Sequence, residues 1–443
     1  MNSEPISIFW FRRDLRLEDN AGLHHALKSK YPVLPLFIFD TEILDKLENR
    51  QDARVEFIQK TVSEIAQKLK KNGSALLVKT GNPEVVFGEV LQEYNVQEVY
   101  VNHDYEPYAC QRDEHIESLL SAKNIPFFTF KDQVIFEKAE VVKEDSKPYS
   151  VYTPYRKKWE ATLKPFHLKA YPVLKYTQHF LKTEPLPFPD LKSLGFEPAG
   201  IKFPSAKPDV EIIRQYEKHR DFPALEGTTR LGLHLRFGTI SIRKLVAFAL
   251  KENAVFLSEL IWREFFMQIL YHFPEVETQA FKPAYDNIKW RNNEAEFQRW
   301  CKGKTGFPLV DAGMRQMNET GFMHNRVRMV TASFLVKHLL IDWRWGEAYF
   351  AEKLLDYDLA ANNGNWQWVT GCGCDAAPYF RIFNPESQLK KFDSKLEYVK
   401  KWLPELGSTA YPKPMVEHAF ARERCLAAYK KGLAEKNQAV SYI

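Results

Sequence analysis

Between positions 343 and 383 the chain gathers residue types that could bind a flat, polar-edged molecule. Asp356 and Asp358 stand among apolar residues, where a carboxylate must be paired or protonated because burying a lone charge is prohibitive. Phe350, Leu354 and Leu355 recur at the three- and four-residue spacing of one helix face. Asn362-Asn363-Gly364-Asn365 tolerates left-handed backbone and predicts a break in that helix, after which come Trp366 and Trp368. Acids, a turn and paired indoles suit a pocket. On pattern alone, a helix terminus with two core tryptophans fits equally well.

Two other groups carry possible chemistry. In Glu226-Gly227-Thr228-Thr229-Arg230-Leu231-Gly232, backbone N–H groups and hydroxyls precede a helical pattern, which suits phosphate, although helix capping explains most such threonine pairs. Arg263 lies four residues after Glu259, the spacing of an ion pair on a helix surface. The five cysteines are odd in number and scattered, as in a reducing cytoplasm without disulfides. Cys372-Gly373-Cys374 is too tight for zinc-knuckle spacing and no His pair follows it, so no metal is expected.

The elements that must position these groups fall into three stretches. Over residues 1–130, apolar strands at 6–11, 33–40, 75–79, 98–102 and 127–130 alternate with helical segments near 21–29, 53–71, 84–94 and 112–122. Continuous apolar strands alternating with helices predict an α/β domain built on a doubly wound parallel sheet. The first strand runs into Arg12-Arg13-Asp14-Leu15-Arg16, with Asp19 or Asn20 as a natural helix N-cap. Charges at that strand exit read first as structure, although ligands do approach the carboxyl ends of parallel strands.

Residues 131–208 read as a connector. Its aromatic-basic segment Tyr149-Ser150-Val151-Tyr152-Thr153-Pro154-Tyr155-Arg156-Lys157-Lys158-Trp159 suits docking over an interface, and Pro185, Pro187, Pro189, Pro198, Pro204 and Pro208 leave little room for helix. From 209 to 443 the periodicity is helical, at 240–250, 258–271, 311–319, 325–340 and 418–432, which predicts an all-α domain.

Several function classes drop out. No G-x-G-x-x-G follows the first strand and no Walker sequence is present. The N-terminus lacks the basic and apolar regions of a secretory signal, and no uncharged apolar run reaches membrane-spanning length. A net charge of +5 permits nucleic acid as a partner without demanding it.

Glu259-Leu260-Ile261-Trp262-Arg263-Glu264, His324-Asn325-Arg326-Val327-Arg328-Met329 and the 343–383 stretch together resemble the flavin-binding core of the photolyase/cryptochrome family. The likeness is nearest to class I cyclobutane pyrimidine dimer photolyases. Arg12 to Asn20 resembles the family's N-terminal signature, and the likeness spans nearly the whole chain. It implies a helical FAD-binding domain at 209–443, an antenna-type α/β domain at 1–130, and FAD as the cofactor, reduced in the active form.

Residue by residue, the resemblance assigns Tyr216, Thr228, Thr229, Arg230, Leu231 and Gly232 to the FAD diphosphate and ribityl site. The family usually carries Ser where Gly232 stands, so one phosphate hydrogen bond is in question. Arg263 would face the phosphates, Arg328 and Asp356 would pair beside the isoalloxazine, Asp358 would meet its polar edge, and Asn362 would face N5. Trp366, Trp343 and Trp290 match an electron relay, while Trp262 and Trp368 match the pair that embraces a flipped thymine dimer. Glu259, Asn325 and Met329 complete that pocket, and Arg220, Arg326 and Arg381 match contacts to DNA phosphates.

The implied activity is light-driven repair of ultraviolet-damaged DNA, single- or double-stranded and without sequence preference, by a cytoplasmic monomer. The alternative is a cryptochrome-like photoreceptor. Asn362, the complete dimer pocket and the short C-terminal end weigh against it, and the absence of His at 325 and 329 weighs against the (6-4) lesion. Folate-binding relatives carry Asn-Glu where Tyr108 and Ala109 stand, which leaves a deazaflavin, a second flavin or no antenna chromophore.

Overall fold

The computed structural model describes residues 2–435. The chain divides into two compact units, each assembled from three stretches of sequence. The first comprises 1–140, 161–207 and 230–251; the second comprises 141–160, 208–229 and 252–443.

The first unit is built on five parallel strands, β1 (Asn2–Phe11), β2 (Val33–Asp40), β3 (Leu77–Gly81), β4 (Tyr94–Asn102) and β5 (Phe127–Phe130), in the order β3-β2-β1-β4-β5. Every residue of β2 is buried, as a strand covered on both faces must be. Helices Ala21–Leu27, Ala53–Lys71, Pro83–Glu93 and Pro107–Ser121 connect the strands. The side chain of Asn20 caps the first of these, accepting from the Leu23 N–H at 3.1 Å. The last begins five residues before the predicted start because Pro107 occupies its first turn, where a missing N–H costs nothing.

The charges after β1 hold the fold. Arg16 donates to Asp132 at 2.7 Å, and Arg243 donates to Asp132 at 2.7 Å and to Asp19 at 3.0 Å. These pairs draw the Ile242–Glu252 helix, more than 200 residues downstream, into the first unit.

In the second unit the helices Ala254–His272, Pro308–Thr320, Asn325–Ser333, Trp343–Lys353, Leu359–Thr370 and His418–Ala434 surround a core that includes Trp300, Phe334, Leu335, Trp343 and Trp366. The predicted 325–340 helix is α-helical only to Ser333 and continues as a π-helical turn over Phe334–His338. Two sequence expectations fail nearby. The Trp343 helix ends at Lys353, so Leu354 and Leu355 lie beyond it. Asn362 to Asn365 do not break a helix but lie inside Leu359–Thr370, which Asp358 caps by accepting from the Ala361 N–H.

Tertiary contacts explain that reversal. Asn363 donates to the Val276 carbonyl at 2.9 Å and Asn365 to Ala361 at 2.7 Å, so the amides serve the helical state instead of competing with it. At Gly364 a Cβ would stand 2.2 Å from the Phe266 ring; glycine is present for close approach to its neighbour.

Candidate active site

A cavity of about 470 Å³ opens within the second unit, walled by the Ala254–His272, Asn325–Ser333, Trp343–Lys353 and Leu359–Thr370 helices. Its lining holds Glu259, Trp262 and Arg263 from the first of these, and Asn325, Arg328 and Met329 from the second. Asp356, Asp358, Asn362, Trp366 and Trp368 also line it, as do Tyr216, which opens the Tyr216–His219 helix, and Arg220, at that helix's end.

One part of the wall is ionic. Arg328 donates to Asp356 Oδ2 at 2.9 Å and to the Met323 carbonyl at 2.7 Å. Asp356 Oδ1 is buried without a protein partner. The Asn362 amide donates to Glu347 Oε1 at 2.8 Å and to the Glu347 carbonyl at 3.1 Å, which leaves the Asn362 carbonyl oxygen as its remaining polar atom. Burial pushes the Glu347 carboxyl above its ordinary range, against the pull of that hydrogen bond.

The other part is aromatic. Trp262 is packed by Phe266 at 5.4 Å and by the edge of Phe265 at 5.6 Å, and the Tyr152 ring stacks on it. Trp368 also lines the cavity, with the exposed Arg381 guanidinium 5.9 Å from its ring. Glu259 pairs with Arg220, and Arg326 with Asp221 at 2.7 Å. The Glu259 ion pair joins its helix to Arg220, at the end of the Tyr216–His219 helix. Burial raises the Glu259 carboxyl above its usual range, with Arg220 opposing.

The three indoles of the expected relay share one core. Trp366 lines the cavity, Trp343 is fully enclosed, and the partly exposed Trp290 packs against the same cluster. A Cβ on Gly346 would fall 2.1 Å from the Trp366 ring, so this glycine makes the seat for that indole.

Some expected residues lie elsewhere. Thr228 and Thr229 belong to the second unit but are not among the lining residues. Arg230, Leu231 and Gly232 belong to the first, and the helix that Gly232 opens has only five residues. Sequence reasoning missed Phe266, Tyr357 and Glu347, and placed Phe350 only on an apolar helix face. Phe266 lies one turn after Trp262 and could have been found by extending that helix face. The others had no signal apart from ordinary core spacing.

Residues 7–175 match the family model described as DNA photolyase, and residues 256–410 match the FAD binding domain of DNA photolyase. The chain is 37% identical over 471 residues to a deoxyribodipyrimidine photo-lyase of Synechococcus, covering 96% of each sequence. A bacterial class III photolyase from Agrobacterium tumefaciens superposes with a TM-score of 0.85 at 32% identity, covering 98% of both chains. An archaeal photolyase from Sulfolobus tokodaii, solved with two FAD molecules, superposes at 0.81 with 34% identity, covering 96% of this chain and 99% of that one. The chain belongs to the DNA photolyase family.

The cavity fits that family's flavin. Its volume falls within the roughly 300–1,000 Å³ of cofactor sites. The unpartnered Asp356 oxygen calls for an N–H donor, and Arg263 and Arg328 supply positive charge for an anionic ligand. Among the described residues no group of three His, Cys, Asp or Glu is placed to hold a metal, and no helix is long and apolar enough to cross a membrane.

Proposed function

We propose that this chain splits cyclobutane pyrimidine dimers in ultraviolet-damaged DNA, driven by light, with FAD held in the second unit's cavity. Bound and reduced, FAD supplies a light-excitable electron donor. The observation that carries the reading is a single cavity lined both by the Arg328–Asp356 pair with Asn362 and by Trp262, Trp368, Glu259, Asn325 and Met329.

Each wall then has a task. Arg328, Asp356, Asp358 and Arg263 bind and orient the cofactor, and Glu347 holds the Asn362 amide so that its oxygen is available at the flavin edge. Trp262 and Trp368 stack on the flipped lesion. Extruding a nucleotide costs a few kcal/mol, least for a damaged base. Stacking returns about 1–3 kcal/mol per base, so two indoles offset the flip for a dimer and leave little surplus for an intact pair. Glu259 and Asn325 hydrogen-bond the pyrimidine edges, Met329 packs beside them, and Arg220, Arg326 and Arg381 meet phosphates without reading sequence. Trp366, Trp343 and Trp290 pass electrons inward from the surface.

Tyr216, Thr228, Thr229, Arg230, Leu231 and Gly232 are assigned to the cofactor's phosphate side. The α/β region at 1–130 is taken as the antenna-type domain, with 131–208 as connector and 209–443 as the flavin domain. The Tyr108 hydroxyl is committed to Asp40 at 2.6 Å, and a second chromophore, if bound, is a flavin or deazaflavin in preference to a folate. The protein is placed in the cytoplasm as a monomer.

The test is purified holoprotein with ultraviolet-irradiated oligothymidine under blue light. Thymine absorbance should recover with wild type and not in the dark, and Trp262→Ala should bind the irradiated strand more weakly. An unchanged dimer alongside intact flavin photoreduction would favour the light-sensor alternative.

A further inference from the structure

Trp262 is not held in place by its own helix alone. The Tyr152 ring lies face to face with it, centroids 3.6 Å apart and planes 9° from parallel. Aromatic pairs more often sit offset or edge-on at about 4.5–7 Å, so overlap this close needs both rings to be held.

Tyr152 is held at both ends. Its hydroxyl lies 2.8 Å from the Ser258 carbonyl, to which it donates, and 2.7 Å from Ser258 Oγ. Ser258 sits one turn before Trp262 on the same helix, so ring and hydroxyl grip a single surface. The Tyr152 backbone N–H donates to Asp375 Oδ2 at 3.0 Å, and Asp375 lies in the segment that follows the Trp368 helix. Trp159, two turns on, fixes the same segment by donating to the buried Glu264 at 2.5 Å. Tyr152 therefore touches the Trp262 wall directly and the Trp368 side through Asp375.

We propose that Tyr152 is a positioning residue for lesion recognition. It sets the plane of the Trp262 indole before a dimer arrives and, through Asp375, ties that plane to the segment beyond Trp368. The inference rests on the reading of the cavity as a dimer pocket. An indole already fixed loses little freedom when a base stacks on it, and preorganisation of this kind appears as affinity and selectivity. Tyr152 itself is buried and meets no substrate, so the light-driven step in a complex already formed is independent of it.

The experiment is a double-mutant cycle on FAD-loaded enzyme, measuring affinity for an oligonucleotide with one thymine dimer and for the same strand undamaged. Tyr152→Leu should weaken dimer binding about tenfold, as expected when side chains must be immobilised on binding. Undamaged-strand affinity, FAD content and repair yield per photon at saturating dimer should stay unchanged. Tyr152→Phe keeps the ring but not the Ser258 contact, and should lose about threefold. Both losses should vanish in the Trp262→Ala background.

A loss that persists there undiminished, wild-type dimer affinity in both variants, or a fall in saturated yield would overturn the positioning role. If Tyr152→Leu fails to retain FAD, the Tyr152→Phe cycle decides on the same criterion. If Trp262→Ala alone binds the dimer normally, the pocket reading fails first and this inference fails with it.

Discussion

Two groups of acids, the buried Asp19 and Asp132 in the first unit and the half-buried Asp356 in the second, differ in what their oxygens leave unpaired. In the first unit Asp132 Oδ1 accepts from Arg243 and the Ala21 N–H, and Oδ2 accepts from Arg16. Asp19 Oδ1 accepts from the Tyr171 N–H and Arg243, and Oδ2 from Ser241. All four carboxylate oxygens are satisfied by the protein. Burial alone would raise the Asp132 carboxyl, but Arg16 and Arg243 outweigh it and hold it below the usual range. In the second unit Asp356 gives one oxygen to Arg328 and leaves the other buried and unpaired. Carboxylates met on every oxygen by the protein hold a fold, although Arg16 Nε beside them is buried without a partner; a carboxylate oxygen left open at a cavity wall is available to a ligand.

Breaking the closed cluster should have the largest effect. Arg243→Met takes the guanidinium from Asp19 and leaves Asp132 with Arg16 as its cation, and denaturant unfolding should show a loss on the order of 3–5 kcal/mol with FAD per folded molecule unchanged. The open cluster should respond in the opposite sense. Asp356→Ala should weaken FAD binding by about 1.5–3 kcal/mol while the apoprotein's unfolding midpoint barely moves. An Asp356→Ala protein that keeps its FAD but loses stability would erase the distinction between the two clusters.

Glu259 sharpens the comparison through pH. Its burial raises the carboxyl, so protonation begins at a higher pH than for an ordinary glutamate, and a protonated acid no longer accepts from a pyrimidine N–H. Dimer affinity, measured by titration at a series of pH values, should fall on mild acidification and recover as pH rises through the shifted value. Glu259→Gln should bind less tightly and with a flat profile. The smallest effect belongs to the exposed rim. Arg381→Ala should weaken damaged and undamaged DNA alike and reduce the slope of log affinity against log salt by about one.

How much of this was legible depended on the range of the interactions. Strand Val33–Asp40 and helix Ala53–Lys71 were read residue for residue, because a continuous apolar run and an amphipathic period are local signals. The helix through Asn362 to Asn365 was misread because its stability lies in tertiary contacts, Asn363 with Val276 and Gly364 against Phe266, that outweigh the local turn preference. The membership of Arg230–Lys251 in the first unit rests partly on an ion pair 224 residues apart, which no periodicity reports. At the site, spacing alone left Trp262 and Trp368 indistinguishable from core tryptophans, and family resemblance singled them out. The Tyr152 stack on Trp262 and the Glu347 hold on Asn362 had no sequence signal, because each joins two separate helices and no periodicity within one helix reports it.

The central claim is that one cavity in the second unit receives both the flavin and the flipped dimer. The most direct measurement is a crystal structure of the FAD-loaded protein with a short duplex carrying a single thymine dimer. The account predicts isoalloxazine density beside Arg328 and Asp356, with the two joined thymines between Trp262 and Trp368. A dimer left stacked in the duplex, or seated away from that indole pair with the flavin in place, would contradict it.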